Sequence, residues 1–143
     1  MAIDPLQLPI QADKLLPHRP PMILVEQLIE CQPRQGKVTA VVRRNDLFVD
    51  DSGVMEPVAL IELVAQSYAA IKGYDDLTHQ RPVQKGFLVG SRTFKVNRCP
   101  RVGEPLGIEI VTTAELDGFS VVDGTICVGE EVIAQGSVKL WLP

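Results

Sequence analysis

The chain has 143 residues, of which 45% are hydrophobic and 22% charged, and its formal net charge is -4. This length and composition are typical of one globular domain with its own core, predicted to span residues 1–143. The acidic balance and the lack of a basic run in the sequence exclude the electrostatic signature of a nucleic-acid-binding protein.

The cysteine and hydropathy patterns indicate the compartment. Cys31, Cys99 and Cys127 are odd in number and belong to no CxxC or Cys/His cluster, so a zinc site is not expected. Unpaired cysteines are typical of a reducing compartment. The N-terminal stretch lacks a basic start and a long apolar run, and no segment has the character of a transmembrane helix. These features predict a cytoplasmic protein away from membranes.

The first third of the chain predicts an irregular lead-in followed by a hairpin. Prolines are frequent over residues 1–21, where only a short helical turn is expected, at 11–16. Branched apolar residues predict strands at 22–32 and 37–45. Proline and glycine between these two stretches indicate the turn that joins them.

The central stretch, PVALIELVAQSYAAIK at 57–72, predicts a long helix. A helix that is apolar on every side is buried, and this one is too short and too often interrupted by polar groups to span a bilayer. Pro57 suits its first turn, and Gly73 suits the position just past its end. A polar loop is expected to follow, from 74 to 85.

Two polar residues lie within this apolar helix. Glu62 and Gln66 are four residues apart and therefore share a face. A carboxylate on a buried helix is costly unless a partner or a function uses it, so Glu62 is the first candidate functional residue. Tyr68 and the small residues after it are interpreted as helix packing.

Four more strands are predicted after the helix. Asp117-Gly118 between two of them is a strong signal for a two-residue hairpin turn. The predicted strands span 86–97, 106–116, 119–128 and 131–142.

This order of elements predicts an α+β fold in which a curved antiparallel sheet wraps around one central buried helix. One sheet cannot cover such a helix on every side, so a second subunit is expected to cover the rest. Because unpaired edge strands are a liability, the predicted assembly is a homodimer, or a higher dimer-based oligomer, with sheets joined edge to edge.

Three stretches in this chain together resemble one known family. They are LPHRPPMILVEQLIE (16–30), ALIELVAQ (59–66) and RVGEPL (101–106). The family is the hot-dog-fold 3-hydroxyacyl-[acyl carrier protein] dehydratases, and the resemblance is to the small dehydratase-like proteins of aryl-polyene and related lipid clusters in particular. Its motifs are an LPHR segment before a strand, E-A-x-A-Q on the central helix and a P-G-D-x-L turn. The resemblance covers most of the chain and implies a single hot-dog domain.

The resemblance also implies a reaction. Enzymes of this family eliminate water from 3-hydroxyacyl thioesters: a histidine removes the proton alpha to the carbonyl, and a helix carboxyl group across a dimer interface assists departure of the hydroxyl. Backbone N–H groups at the helix N-terminus polarise the carbonyl. Carried over, Glu62 takes the carboxyl position, with a pKa expected to rise on burial, and Gln66 takes that of the motif's glutamine. The implied substrate is carried on the phosphopantetheine of acyl carrier protein or of coenzyme A, with no resident cofactor or metal.

The sequence departs from the family at the catalytic histidine. The family places it in a G-H-F-P stretch before the helix, whereas NDLFVDDSGVMEP (45–57) contains none. The matching position falls near Phe48 or near Ser52, depending on the end from which the stretches are aligned. Neither side chain is the expected base.

The two histidines of the chain lie elsewhere. His18, in the LPHR motif, is interpreted either as a structural imidazole that pins the N-terminal segment or as the replacement base. To serve as the base, it has to approach Glu62 within a few ångströms, and the partner subunit is its expected source. His79 is expected to be an exposed bystander.

Three functions stay open from the sequence. The first is a 3-hydroxyacyl thioester dehydratase, active or degenerate, of fatty-acid or polyene-type lipid synthesis. The second is a non-catalytic hot-dog subunit that binds acyl chains or forms a heteromer with a catalytic dehydratase. The third is an acyl thioesterase, since related hot-dog proteins use a helix carboxylate to activate water.

An acyl pocket is expected between the two central helices of the dimer, with Glu62 at its polar end. Its lining is predicted to include Leu60, Val64 and Phe87. Gln66 is interpreted as a substrate contact or as a structural residue that satisfies backbone groups.

Overall fold

The computed structural model describes residues 7–143 and contains, within that range, one long helix, one 3-10 turn and seven strands. Residues 1–6, part of the predicted lead-in, lie outside the described residues. The helix, α1, is Pro57–Thr78, and the 3-10 turn is Ala12–Lys14, inside the predicted helical turn. The strands are β1 (Ile10–Gln11), β2 (Gln27–Gln32), β3 (Gln35–Val41), β4 (Phe87–Val96), β5 (Pro105–Leu116), β6 (Phe119–Val128) and β7 (Glu131–Trp141).

These strands form one sheet in the order β1-β2-β3-β5-β6-β7-β4, and every neighbouring pair is antiparallel. The predicted hairpin joins β5 to β6, where Asp117 and Gly118 both have positive φ, 51° and 83°. A two-residue turn between twisted strands requires this backbone. One helix on an antiparallel sheet confirms the predicted α+β architecture.

The core lies between α1 and the sheet. Leu60, Leu63 and Val64 of the helix are completely buried. Burial alternates along the first part of β5 and along β6, as it does in strands with one face on a core. No helix among residues 7–143 has both the length and the apolar character needed to cross a membrane.

Helix α1 continues past the end that the sequence predicted. Gly73, expected just beyond the helix, is a buried residue inside it, and the helix ends at Thr78. A Cβ at Gly73 would collide with the carbonyl oxygen of Leu15. The glycine therefore permits close packing of the N-terminal segment on the helix rather than marking a left-handed end.

The strand predicted at 22–32 pairs with its neighbour only from Gln27 onwards. Leu24 and Val25 are buried, as their apolar character indicated. The backbone N–H of Leu24 donates to Oε1 of Gln66, at 2.8 Å, instead of to a neighbouring strand. A side chain of α1 thus holds the segment that leads from the N-terminus into β2.

Candidate active site

Glu62 lies on α1, one turn before Gln66, and borders a small cavity of about 100 Å³. Its side chain is 25% exposed, so it is less buried than the apolar helix around it suggested. The amide of Gln66 donates from Nε2 to Glu62 Oε1 at 3.1 Å. The carboxylate is therefore oriented by one neighbour and still open to the cavity.

Gln66 is fully buried and satisfied on both ends of its amide. Its Oε1 accepts the N–H of Leu24, and its Nε2 donates to the carbonyl oxygen of Met22 at 2.8 Å as well as to Glu62. These bonds attach the helix to the segment that leads into β2, and they also hold the carboxylate of Glu62. This geometry favours the structural interpretation of Gln66, as a residue that positions Glu62.

His18 faces Glu62 from the same chain, not from a partner subunit as expected. Its Nε2 lies 3.7 Å from Oε1 of Glu62. The loop that carries it is held by Arg19, whose Nη1 donates to the carbonyl oxygens of Leu16 (2.9 Å) and His18 (2.7 Å). His18 Nδ1 is buried and has no hydrogen-bond partner among residues 7–143.

This pair brings together the two groups that acid–base chemistry needs. A distance of 3.7 Å is too long for a direct hydrogen bond, so neither the imidazole Nε2 nor the carboxyl oxygen is committed to the other. A substrate atom or a water that lies beside the pair, in the cavity, is within reach of both. One group can therefore accept a proton while the other donates one.

The cavity walls differ from the predicted lining. Leu60 and Val64 are completely buried in the core, and Phe87 is 46% exposed, with its ring packed near that of Trp141. None of these three lines the cavity beside Glu62. Its lining residues are Pro17, His18, Glu62, Ala65, Tyr68, Ala69, Lys72, Gln84, Gly86, Leu88, Leu140 and Leu142.

The sequence contained a partial signal for this lining. Ala65, Ala69 and Lys72 follow Glu62 at offsets of three, seven and ten residues, the spacing of one helix face. Tyr68, interpreted as helix packing, also lines the cavity. The contributions of Leu88 and Leu140 depend on strand pairing between distant parts of the chain, which no local pattern reveals.

Neither Phe48 nor Ser52, the two residues nearest the family's histidine position, lines the cavity of Glu62. The carbonyl oxygen of Phe48 accepts the N–H of Glu56, and Ser52 Oγ donates to Asp50 Oδ1 at 2.6 Å. This bond from Ser52, with the N–H of Val54, lowers the pKa of Asp50. The stretch also pairs with the turn before β5, since the N–H of Met55 donates to the carbonyl oxygen of Pro100 and the N–H of Val102 donates to that of Gly53, both at 2.9 Å.

His79 lies at the other end of α1 and is 61% exposed, as expected. It follows Glu62 by seventeen residues, which places it roughly 25 Å further along the helix axis. Its Nδ1 lies 2.8 Å from the carbonyl oxygen of Asp75. His79 therefore belongs to the helix end and not to the site.

Comparison with protein families and curated proteins gives consistent matches. A family model named ApeP-like and described as ApeP dehydratase matches residues 10–143. A 3-hydroxyacyl-[acyl-carrier-protein] dehydratase FabZ of Natranaerobius thermophilus is 29% identical over 137 residues, covering 90% of this chain and 92% of the relative. The corresponding protein of Anaeromyxobacter sp. is 26% identical, with 90% and 86% covered.

Solved structures show the same fold. The dehydratase heterocomplex ApeI:P from Xenorhabdus doucetiae contains a chain with a TM-score of 0.88 and 23% identity, covering 94% of this chain and 91% of that one. A hypothetical thioesterase with coenzyme A from Streptococcus pneumoniae has a TM-score of 0.62 and 14% identity, with 81% and 84% covered. These likenesses confirm the predicted hot-dog fold.

Proposed function

Since the chain belongs to the ApeP-like dehydratase family, we propose that it acts in the elimination of water from 3-hydroxyacyl thioesters. The FabZ relatives are named as dehydratases of 3-hydroxyacyl chains on acyl carrier protein. The proposed substrate is therefore an acyl thioester on a phosphopantetheine arm, borne by a carrier protein or by coenzyme A. A cytoplasmic location, expected from the composition, belongs to the same proposal.

The observation that carries this proposal is the approach of His18 to Glu62 in one cavity. A family carboxyl position on α1 faces an imidazole at 3.7 Å, and the carboxyl is oriented by Gln66. Both side chains line the same cavity, as a paired general acid and base require. Glu62 is the proposed acid, and His18 is the proposed base of this chain.

The proposed reaction uses only these two residues to accept and donate protons. Uncharged His18 takes the proton alpha to the thioester carbonyl through Nε2, while protonated Glu62 gives its proton to the 3-hydroxyl group. The carbon–oxygen bond breaks, the double bond forms between the alpha and beta carbons, and water leaves. His18 is then positive and Glu62 negative, and transfer of one proton between them restores the starting state.

A second candidate follows from the histidine-free stretch before α1. Here this chain supplies the Glu62 carboxyl group, and a partner dehydratase subunit supplies the base. The similar solved structure is itself described as a dehydratase heterocomplex, which supports a heteromer. His18 is in that case the residue that holds Glu62 in place.

The second candidate needs a partner beside the site, and the edge strand β4 is the surface that fits one. It is an edge strand with exposed apolar side chains: Phe87 is 46% exposed, Leu88 41% and Val89 49%. Leu88 also lines the cavity of Glu62. A neighbouring subunit paired along β4 covers these side chains and completes the cavity wall.

The test is an assay of purified protein with 3-hydroxyacyl thioesters, which follows formation of the enoyl product. Glu62→Gln and His18→Ala are compared with His79→Ala, a histidine change far from the site. We expect losses of at least ~100-fold for Glu62→Gln and His18→Ala, the usual contribution of a positioned acid or base, and no loss for His79→Ala.

The same assay with an added histidine-bearing dehydratase subunit separates the two candidates. Activity that needs this subunit and disappears in Glu62→Gln, but survives His18→Ala, supports the heteromer in which the partner supplies the base. If Glu62→Gln keeps full activity in a folded protein, neither form of the proposal holds.

A further inference from the structure

A second and larger cavity adjoins the cavity of Glu62. We call the first the site cavity and the second the distal cavity, which has a volume of about 390 Å³. Tyr68 and Lys72 line both. The distal cavity is further lined by Cys31, Gln32, Pro33, Arg34, Ile71, Tyr74, Asp75, Thr78, Thr112 and Glu115.

The site cavity alone is too small for a long acyl chain. Its volume is about 100 Å³, whereas pockets that enclose small molecules usually measure about 300–1,000 Å³. The distal cavity falls within that range. It begins about 9 Å along the axis of α1 from Glu62, at Tyr68, given the rise per residue of a helix.

Tyr68 is one of the two residues that line both cavities. Its side chain is nearly buried, and its hydroxyl lies 2.9 Å from Oγ of Ser120 on β6. The pKa of Tyr68 is raised, mainly because the side chain is buried, so the phenol is uncharged. The hydrogen bond to the small side chain of Ser120 fixes the position of the ring.

The chemistry of the distal cavity suits an uncharged chain end. Its inner wall includes Thr112 and Ile71, both at least nine-tenths buried. Burial is the main cause that raises the pKa of the Cys31 thiol, with Asp75 second, so this group is also uncharged. At the mouth, Lys72 Nζ lies 3.8 Å from Asp75, whose carboxylate also accepts from Arg81 at 2.6 Å. The charges of Lys72 and Asp75 are therefore paired. Arg34 and Glu115 also line the cavity, so the part that suits an uncharged chain end is the buried wall formed by Ile71 and Thr112.

We propose that Tyr68 sets the acyl chain length: it closes the site cavity for short chains, and the distal cavity receives the far end of longer ones when its ring moves aside. This inference rests on the proposed function, because it assumes an acyl thioester whose reacting end lies at Glu62. Tyr68 is thus a specificity-determining residue and has no part in the proton transfers.

The experiment measures binding of non-hydrolysable 3-hydroxyacyl pantetheine analogues of increasing chain length by calorimetry. It uses the protein as it assembles, with its partner subunit where one is needed. In Tyr68→Ala, we expect the affinity for long chains to rise at least ~10-fold relative to the affinity for short chains, since two more buried methylene groups correspond to that gain. Tyr68→Phe and Ser120→Ala, which only free the ring, are expected to give smaller gains of the same kind.

Filling the distal cavity with a larger side chain should reverse the gain in affinity for long chains. Thr112→Phe in the Tyr68→Ala background is expected to remove the gain for long chains and to leave short chains unaffected. Cys31→Phe serves the same purpose at a less buried position if Thr112→Phe does not fold. Val121→Ala, on the opposite face of β6 from Ser120, is the matched control and is expected to change nothing.

The outcomes separate this inference from the proposed function. One outcome would contradict the role of Tyr68 but not the proposed function. In it, short chains bind, and the dependence of affinity on chain length is the same in wild type, Tyr68→Ala, Tyr68→Phe and Ser120→Ala. No binding at any length, in wild type or variant, counts against the acyl thioester substrate itself. A shift in the length profile that Thr112→Phe or Cys31→Phe reverses supports the proposal.

Discussion

Gln66 is the residue on which the local geometry of the site depends. It is fully buried, and its amide bonds to Leu24, Met22 and Glu62. Removing it leaves the buried N–H of Leu24 and the partly buried carbonyl of Met22 without these partners and releases the candidate acid. Such losses cost about 1–3 kcal/mol for each unsatisfied group.

We therefore predict that Gln66→Ala lowers the free energy of unfolding by roughly 2–4 kcal/mol, with loss of dehydratase activity as Glu62 loses its orientation. Urea denaturation and the enoyl-forming assay measure the two effects. Gln135→Ala, an exposed glutamine on β7, is the matched control and is expected to change neither. Wild-type stability in Gln66→Ala would show that the buried amide bonds are not needed.

At this scale the sequence predicted part of the site. Glu62 and Gln66 were identified because two polar residues, four apart, stand out in an apolar helix. The same uniformly apolar surface explains why Leu60 and Val64, which are completely buried, were expected to line the pocket, since no periodicity separates the core face from the cavity face. The approach of His18 depends on a loop held by Arg19, through contacts that the motif alone does not reveal.

Among the elements, α1 and the N-terminal segment meet at Gly73. A Cβ there would collide with the carbonyl oxygen of Leu15, a backbone atom that cannot turn aside. We predict that Gly73→Ala lowers the free energy of unfolding by about 1–3 kcal/mol, the usual cost of overpacking. Activity should fall too, because Leu15 precedes the loop that carries His18.

Chemical denaturation of Gly73→Ala beside Gly90→Ala tests this prediction. A Cβ on Gly90, in β4, would meet nothing within 4 Å, so its substitution controls for the change from glycine to alanine alone. Equal stability of the two variants would contradict the close packing of the N-terminal segment on α1.

Element boundaries were predicted well where local chemistry sets them. The turn at Asp117-Gly118 and the bounds of β6 match the sequence prediction, because the positive φ values of the turn are a local demand. The end of α1 was wrong because glycine at a helix end and glycine at a close helix contact look the same in a single sequence. The contact with Leu15 is visible only in three dimensions.

The turn before β5 is held by an ion-pair network. Arg98 binds both carboxyl oxygens of Glu104 at 2.9 Å and also binds Glu131. The pKa of Glu104 is lowered to about 2, mainly because its side chain accepts hydrogen bonds from Arg98, and the N–H of Arg101 adds to the effect. This network organises the RVGEPL stretch that contributed to the family resemblance.

The lowered pKa of Glu104 determines how the stability of the fold depends on pH. A carboxyl group with a lowered pKa in the folded state stabilises the fold above its ordinary pKa, 4.5, and the contribution is lost as the pH falls towards about 2. We predict that Glu104→Gln lowers the midpoint of thermal unfolding at pH 7 by roughly 2–4 °C and that the difference from wild type disappears by about pH 2. Calorimetry across this range measures it.

Glu130→Gln, an exposed carboxyl in the turn before β7, is the control for the loss of one negative charge. It is expected to follow the wild-type curve. A Glu104→Gln protein whose difference from wild type is the same at pH 7 and at pH 2 would show that the ion pair with Arg98 does not act through this carboxyl's ionisation.

For the whole molecule, the exposed edge at β4 predicts assembly. Leu88 is 41% exposed on an edge strand and lines the site cavity, so a charge there should prevent pairing with another subunit. We predict that Leu88→Glu shifts the assembly towards monomer in light scattering. Leu116→Glu, at an exposed leucine in the β5–β6 hairpin, introduces the same charge away from β4 and is expected to keep the wild-type mass. A wild-type protein that is monomeric at micromolar concentration, alone and with a dehydratase partner, would contradict this role of β4.

The central claim is that Glu62 and its neighbours eliminate water from a 3-hydroxyacyl thioester rather than hydrolyse it. Incubation of the thioester in water labelled with oxygen-18 tests this directly, because reversible dehydration places the label in the 3-hydroxyl group while the thioester stays intact. The account predicts label at that position by mass spectrometry and a rate at least ~100-fold lower in Glu62→Gln. Label in a released carboxylate, with free thiol formed, would indicate a thioesterase and contradict the account.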